Sequence, residues 1–329
     1  RRRALRDEEQ LTALVSREGA FLLNNIMFLA VLAVTFIGSI YPWIYESVRG
    51  VKLAPGPEFF NRANGPILLG LLVLMGVGPV VPWRGARPAT LLRMLALPLA
   101  VAVLVMAALA VAGVRQAWAL AGFGACGLVA GTIFREWAKG TWARHRSHAE
   151  GYPRAFLGLI ASNRARYGGY VVHLAIALMA IGVIGSNFFK TEREVSLRPG
   201  QSAAVNQYVL TYEGMRRYPT PDKLVALATV SLREGDRSLG TVETGRTLQR
   251  SMSQPVAEIA IRSTWKEDLY IVPAVLREDG ETTFKIFVNP LVMWIWIGGG
   301  VFLAGTIVAL WPGRHELPFR RRSDRGGPL

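Results

Sequence analysis

Along the chain the hydrophobic positions gather into runs of about twenty residues, the length needed to cross a hydrocarbon core, before any shorter periodicity becomes visible. Six such runs, near 20–42, 65–83, 92–112, 116–135, 168–188 and 291–311, predict membrane-spanning helices. Trp43, Trp83, Trp118, Trp137, Trp294, Trp296 and Trp311 fall at or near their ends, the depth an amphipathic indole prefers. Between the fifth and sixth runs the pattern changes to alternation: in "TFKIFVN", Phe284, Ile286 and Val288 share one face and Lys285 takes the other. The Gly-Asp of "LREGDRSL" and the Asp-Gly of "LREDGETTF" supply turns. "YIVPAVL" and "TTFKIFV" read as a hairpin in which Pro273 marks an edge strand or a bulge. The fold class is therefore an α-helical polytopic membrane protein with an inserted extracytoplasmic all-β domain, a small barrel or sandwich. The expected organisation is a cytoplasmic N-terminal segment 1–19, a five-helix region 20–189, a β domain 190–288, a sixth membrane helix 289–312 and a basic, disordered cytoplasmic tail 313–329.

Composition agrees with that reading: 51% of the 329 residues are hydrophobic and 19% charged. The net charge of +15 could suggest nucleic acid, but Lys and Arg cluster beside the apolar runs, where they orient a membrane protein and meet anionic headgroups. Their density before the first run, between the second and third, from Arg135 to Arg166 and after the sixth puts both chain ends in the cytoplasm and the β domain outside. Membrane lipid is thus a partner and nucleic acid is not. Cys126 is the one cysteine, which excludes an intrachain disulfide and any multi-cysteine metal site. The opening "RRRALRDEEQ" lacks the apolar core of a signal peptide and is expected to mark a cut within a longer protein or one product of a split gene.

The fifth run, "RYGGYVVHLAIALMAIGVIGSNFF", contains His173, about 7–8 Å along the helix from the inner edge at 1.5 Å per residue. Ionisable residues at such depth face the bundle interior and have a partner. Gly169, Ala177 and Ala180 lie at i−4, i+4 and i+7, a small-residue stripe that leaves a trough beside the ring. Three readings stand: an imidazole hydrogen-bonded to a neighbouring helix, a proton relay, and an axial ligand to haem iron with the porphyrin in the trough and Arg164 and Arg166 at its propionates. Asn24 and Asn25 enter the first run at similar depth and either bond between helices or support what His173 holds. His145 and His148 in "RHRSH" are spaced for a metal, but the flanking arginines oppose a cation and predict a solvated basic loop. No P-loop, GxSxG or HExxH is present.

With those residues in view the chain resembles the C-terminal half of CcmF, the membrane subunit of the system I cytochrome c haem lyase, within the wider CcmF/NrfE/CcsA haem-handling family. The pieces that carry the resemblance are "SREGAFLLNN", "GPEFFNRANGP", "GVGP", "YGGYVVHLAIAL", "LRPGQS", "EIAIRSTWKEDLYIV" and "NPLVMWIWIGG", in that order. The resemblance implies a resident haem b held between two transmembrane histidines, of which His173 matches the second. It also implies a second haem, delivered by the chaperone CcmE and displayed to the thiols of apocytochrome c, with a CcmH-type thiol subunit nearby. The first transmembrane histidine, the Trp-Trp-Asp segment and the flanking external histidines have no counterpart here. The chain is therefore expected to be non-catalytic by itself and to work with a missing N-terminal half or split subunit. Val172 and Ala175 stand where the family suggests smaller residues and are expected to reshape the trough. The site expected on these grounds is His173 as iron ligand with Gly169, Ala177 and Asn25 around a haem b. The alternatives are a haem b anchor of a quinone-linked redox complex and an assembly scaffold without its own cofactor.

Overall fold

A computed structural model describes residues 16–51, 53, 55–82, 87–249, 255–277 and 280–311. Most of the predicted N-terminal segment, the basic tail, Trp83 and the turn residue Asp279 lie outside the described residues. The chain forms two compact units: residues up to Ala180 together with those from Ile297 on, and Ile181–Trp296.

The first unit is helical. Its elements are α1 (Arg17–Arg49), α2 (Pro57–Val77), α3 (Pro88–Val111), α4 (Ala117–His148), α5 (Tyr152–Ser162), and the greater parts of α6 (Arg164–Phe188) and α7 (Met293–Leu310). Among the described residues six of these, all but α5, are long and apolar enough to cross a membrane. Caps set the limits of α1: the Gly19 N–H donates to Ser16 Oγ at 3.1 Å, and Gly50, at φ +69°, ends the helix by donating its N–H to the Glu46 carbonyl. Without a hydrophobic drive between helices in lipid, close approach falls to small side chains. The run "AGFGACGLVAGTIF" makes α4 the buried helix: Val129 and Ile133 are each 1% exposed. A Cβ on Gly131 would lie 3.0 Å from Cα of Pro98 in α3, and Thr132 Oγ1 donates to the Gly76 carbonyl of α2 at 2.7 Å. In contrast, α1 leaves Phe28, Leu29, Leu32, Phe36 and Ile37 exposed.

Sequence and structure differ over 136–166. The segment read as a loop is helical: α4 continues to His148, and α5 follows with Ala155 fully buried. Basic residues end the hydropathic run without ending the helix, because Arg, Lys and Ala are good helix formers. The break comes only at Ala149–Gly151, before Pro153 in the first turn of α5.

The second unit is a sandwich of two antiparallel sheets. Its strands are β1 (Thr191–Leu197), β2 (Ser202–Val205), β3 (Tyr208–Pro219), β4 (Lys223–Glu234), β5 (Arg237–Gln249), β6 (Val256–Glu258), β7 (Ala260–Ser263), β8 (Glu267–Leu276) and β9 (Thr282–Pro290). One sheet runs β1-β9-β8-β7 and the other β2-β3-β4-β5-β6. The alternation in β9 is realised: Phe284, Ile286 and Val288 are at most 1% exposed in the core, while Lys285 pairs with Glu194 at 3.5 Å on the other face. Tyr212 meets Phe284 edge to face at 5.3 Å between ring centres, and its hydroxyl accepts from Thr282 Oγ1 at 3.2 Å. Pro273 sits at a bulge, where the register with β9 shifts before Val275, and beyond the last β7–β8 pair at Ile271, so β7 does not flank it. Leu291 has φ +63°, a strained conformation for a branched side chain, and donates its N–H to the Lys266 carbonyl at 2.9 Å as β9 gives way to α7.

Gly131→Leu forces α3 and α4 apart and is expected to destabilise the helical unit by on the order of 1–3 kcal/mol; thermal unfolding of the purified chain in detergent reads this out. In the β unit, burial first, then the hydrogen bond and charge of Glu267, push the Tyr208 phenol up to about 12 from 10.0. The stabilisation held by the neutral phenol is complete below about pH 10 and is lost as pH rises towards about 12. Tyrosinate absorbance, compared with Tyr208→Phe, is expected to show one residue ionising in that window and not near pH 10.

Candidate functional site

Helix α6 carries the histidine that sequence singles out, and its neighbours divide the helix surface into three arcs. A Cβ on Gly305 of α7 would lie 2.9 Å from the Val172 nitrogen, one on Gly298 would lie 2.9 Å from the Ala175 carbonyl oxygen, and one on Gly168 would lie 2.5 Å from the Ala309 nitrogen. At about 100° per residue, Gly168, Val171, Val172, Ala175 and Met179 therefore form an arc facing α7, roughly opposite His173. A second arc meets α4, where the Ala177 carbonyl accepts from Cys126 Sγ at 3.5 Å and the Arg166 guanidinium reaches Glu136 at 3.0 Å. The third, with Gly169, Ile176, Ala180 and Val183, faces neither. A Cβ at Gly169 would meet no heavy atom within 4 Å.

His173 stands at the border between the α4 arc and this open arc, half-buried. Its Nδ1 is buried and has no hydrogen-bond partner. Three expectations are corrected here. Ala177, expected to line the trough, is 2% exposed and packed against α4, so the open side is marked by Gly169 instead. Val172 and Ala175 face α7 and do not shape the space beside the ring, because their positions lie on the far side of the helix. Asn25 is exposed on α1, which packs on α2 and the turn after it, and it does not partner the imidazole.

At the start of α6, Arg166 is held rather than loose. Its Nε donates to Tyr170 Oη at 2.9 Å and its Nη2 to Glu136 Oε2 at 3.0 Å, while Arg135 takes the other Glu136 oxygen at 3.0 Å. This cluster sits one and two turns before His173 on the same side of α6. Sequence reasoning overlooked Glu136 and Tyr170. The available signal was an acidic residue closing an otherwise basic span end, with a tyrosine four residues after an arginine. The other described histidines are engaged: His145 Nδ1 bonds the Glu150 carbonyl and its ring stacks on Tyr152 at 4.2 Å, and His148 meets Ser147 Oγ at 2.7 Å. Both end α4 rather than sitting in a loop. No group of three or more His, Cys, Asp or Glu among the described residues is arranged to hold a metal ion. The residues present fit one side of a haem site: a single imidazole bordered by open space at a glycine, with its buried nitrogen unpartnered.

Residues 188–290 match the family model described as the CcmF C-terminal beta-sandwich. Over 311 residues the chain is 27% identical to a cytochrome c-type biogenesis protein CcmF of Pseudomonas aeruginosa, covering 94% of this chain and 46% of that protein. It is 30% identical over 321 residues to the cytochrome c-type biogenesis protein ccl1 of Rhodobacter capsulatus, covering 96% and 46%. A solved structure of a cytochrome c heme lyase CcmF superposes with a TM-score of 0.76 at 27% identity, over 91% of this chain and 46% of that one. The chain thus spans about half the length of the relatives it matches. In sequence and in fold the chain is similar, over about half their length, to the CcmF cytochrome c biogenesis proteins, and residues 188–290 match the model of their C-terminal beta-sandwich.

Proposed function

We propose that the chain supplies one wall of a haem b site through His173 and helps position haem for covalent attachment to apocytochrome c. The second axial ligand comes from a histidine outside this chain. The observation that carries the reading is the His173 ring itself: a membrane-embedded imidazole with a buried, unpartnered nitrogen, next to a glycine with open space beside it. When bound, such a haem supplies electron transfer that keeps a second, displayed haem reduced. The chain's own residues do the positioning. Close packing of α6 on α7 and α4 fixes the helix rotation, so the imidazole cannot swing away from the border it occupies. Gly169 admits a flat group that a larger side chain would exclude. Arg166, pinned by Glu136 and Tyr170, keeps a positive charge near the edge where propionates would lie. In this reading Nε2 is the ligating nitrogen, and no described residue accepts from Nδ1, so its orienting partner too would come from the complementary half.

In this proposal the β unit lies on the periplasmic side of a bacterial inner membrane, with both ends of the chain in the cytoplasm. It offers a docking surface to a CcmE-type haem chaperone, a CcmH-type thiol subunit or apocytochrome c. The addition of thiols to haem vinyl groups needs geometry and reduced iron more than a protein acid or base, which suits a site without paired carboxylates.

His173→Ala in the full complex, assembled with the complementary half, is expected to lose most of the b-type absorption while the polypeptides are recovered at normal yield. Unchanged haem content and an unchanged reduced-minus-oxidised spectrum would overturn the assignment.

A further inference from the structure

A groove of about 890 Å³ lies between the far end of α4 and α5, lined by Phe134, Trp137, Lys139, Trp142, Tyr152 and Phe156 among others. It does not include His173 and is independent of the haem reading. Its floor is aromatic: Trp137 meets Phe134 and Phe156 edge to face at 5.6 and 5.8 Å. Its rim is cationic. Lys139 lines the groove, and the Arg146 guanidinium lies 4.4 Å from the ring centre of Trp142, another lining residue. The surrounding carboxylates are already used, since Glu136 holds Arg135 and Arg166, and Glu150 holds Arg144. Lys139 and Arg146 have no carboxylate partner among the described residues.

We infer that this groove is a binding site for one anionic glycerophospholipid. Each part of that ligand answers a feature of the groove. An acyl chain covers the aromatic floor, and the phosphate meets Lys139 and Arg146. The depth agrees. The apolar part of α4 ends at Arg135 and Glu136, and Lys139 follows about 6 Å further along at 1.5 Å per residue. That is within the headgroup layer, about 5–7 Å thick on each side of the hydrocarbon. A zwitterionic lipid would bring a choline cation to a rim that is already positive, so charge complementarity selects an anionic headgroup.

The test uses the full chain in nanodiscs of equal phosphatidylglycerol and phosphatidylcholine, released into mild detergent, with lipids retained per chain counted by native mass spectrometry. The wild type is expected to keep one phosphatidylglycerol with a preference of about tenfold over phosphatidylcholine. Lys139→Ser with Arg146→Ser is expected to bring the preference to within about twofold, and Phe156→Ala, which removes part of the aromatic floor, to lower retention about threefold. Arg115→Ser, a basic residue beside the other end of α4, is expected to change nothing and serves as the control for diffuse charge. Circular dichroism confirms that each variant retains its helix content. Should Phe156→Ala fail to fold, the wild-type preference and the double variant still decide. Equal retention of both lipids by the wild type, a preference unaltered in the double variant, or an equal loss on Arg115→Ser would each overturn the proposal.

Discussion

A polar nitrogen inside a membrane has no water to fall back on, and leaving one without a partner in an apolar surrounding costs several kcal/mol, about 2–7 for a neutral group. That constraint organises this chain. His145 and His148, at the polar end of α4, both make hydrogen bonds within the protein. Arg166 and Tyr170, at the start of α6, satisfy each other and Glu136. The Nδ1 of His173 has no such arrangement, although the helix that carries it is tightly fixed. In the proposed reading its partner is supplied by something beyond the chain, which spans about half the length of its relatives.

The packing around α6 explains how a single residue acquires a defined direction. Glycines at 298 and 305 bring α7 against one side, and the small-residue run of α4 takes the next. With two arcs of the helix occupied, the remaining arc with Gly169 is the one left to face a partner. The same logic applies to α1, whose apolar residues stay exposed and await either lipid or more protein. The β unit depends on none of this. Its two sheets close around Tyr212, Phe284 and their neighbours with a core of their own.

What could be read from sequence follows from the range of the interaction that decides it. The strand face of Phe284, Ile286 and Val288 is a local, period-two pattern, and the structure places all three in the core. The bulge at Pro273 was legible because proline lacks an N–H. Where β7 stops beside it was not, since the pairing of β7 with β8, which ends at Ile271, joins distant stretches of chain. The imidazole of His173 was legible by contrast with its apolar run, and Gly169 by its spacing. Ala177 was misplaced because a helical wheel gives which residues share a face but not which neighbour will cover it. Helix α5 was missed because eleven residues are too few to register as an apolar run, and the charges around it suggest a loop.

The most direct test of the central claim replaces His173 by methionine in the assembled full-length complex and reads the haem b by redox titration and near-infrared magnetic circular dichroism. If His173 is an axial ligand, histidine–methionine ligation raises the midpoint potential and replaces the bis-imidazole spectrum with that of a thioether-ligated iron. A complex that keeps full haem content, the original potential and the bis-imidazole spectrum would contradict it.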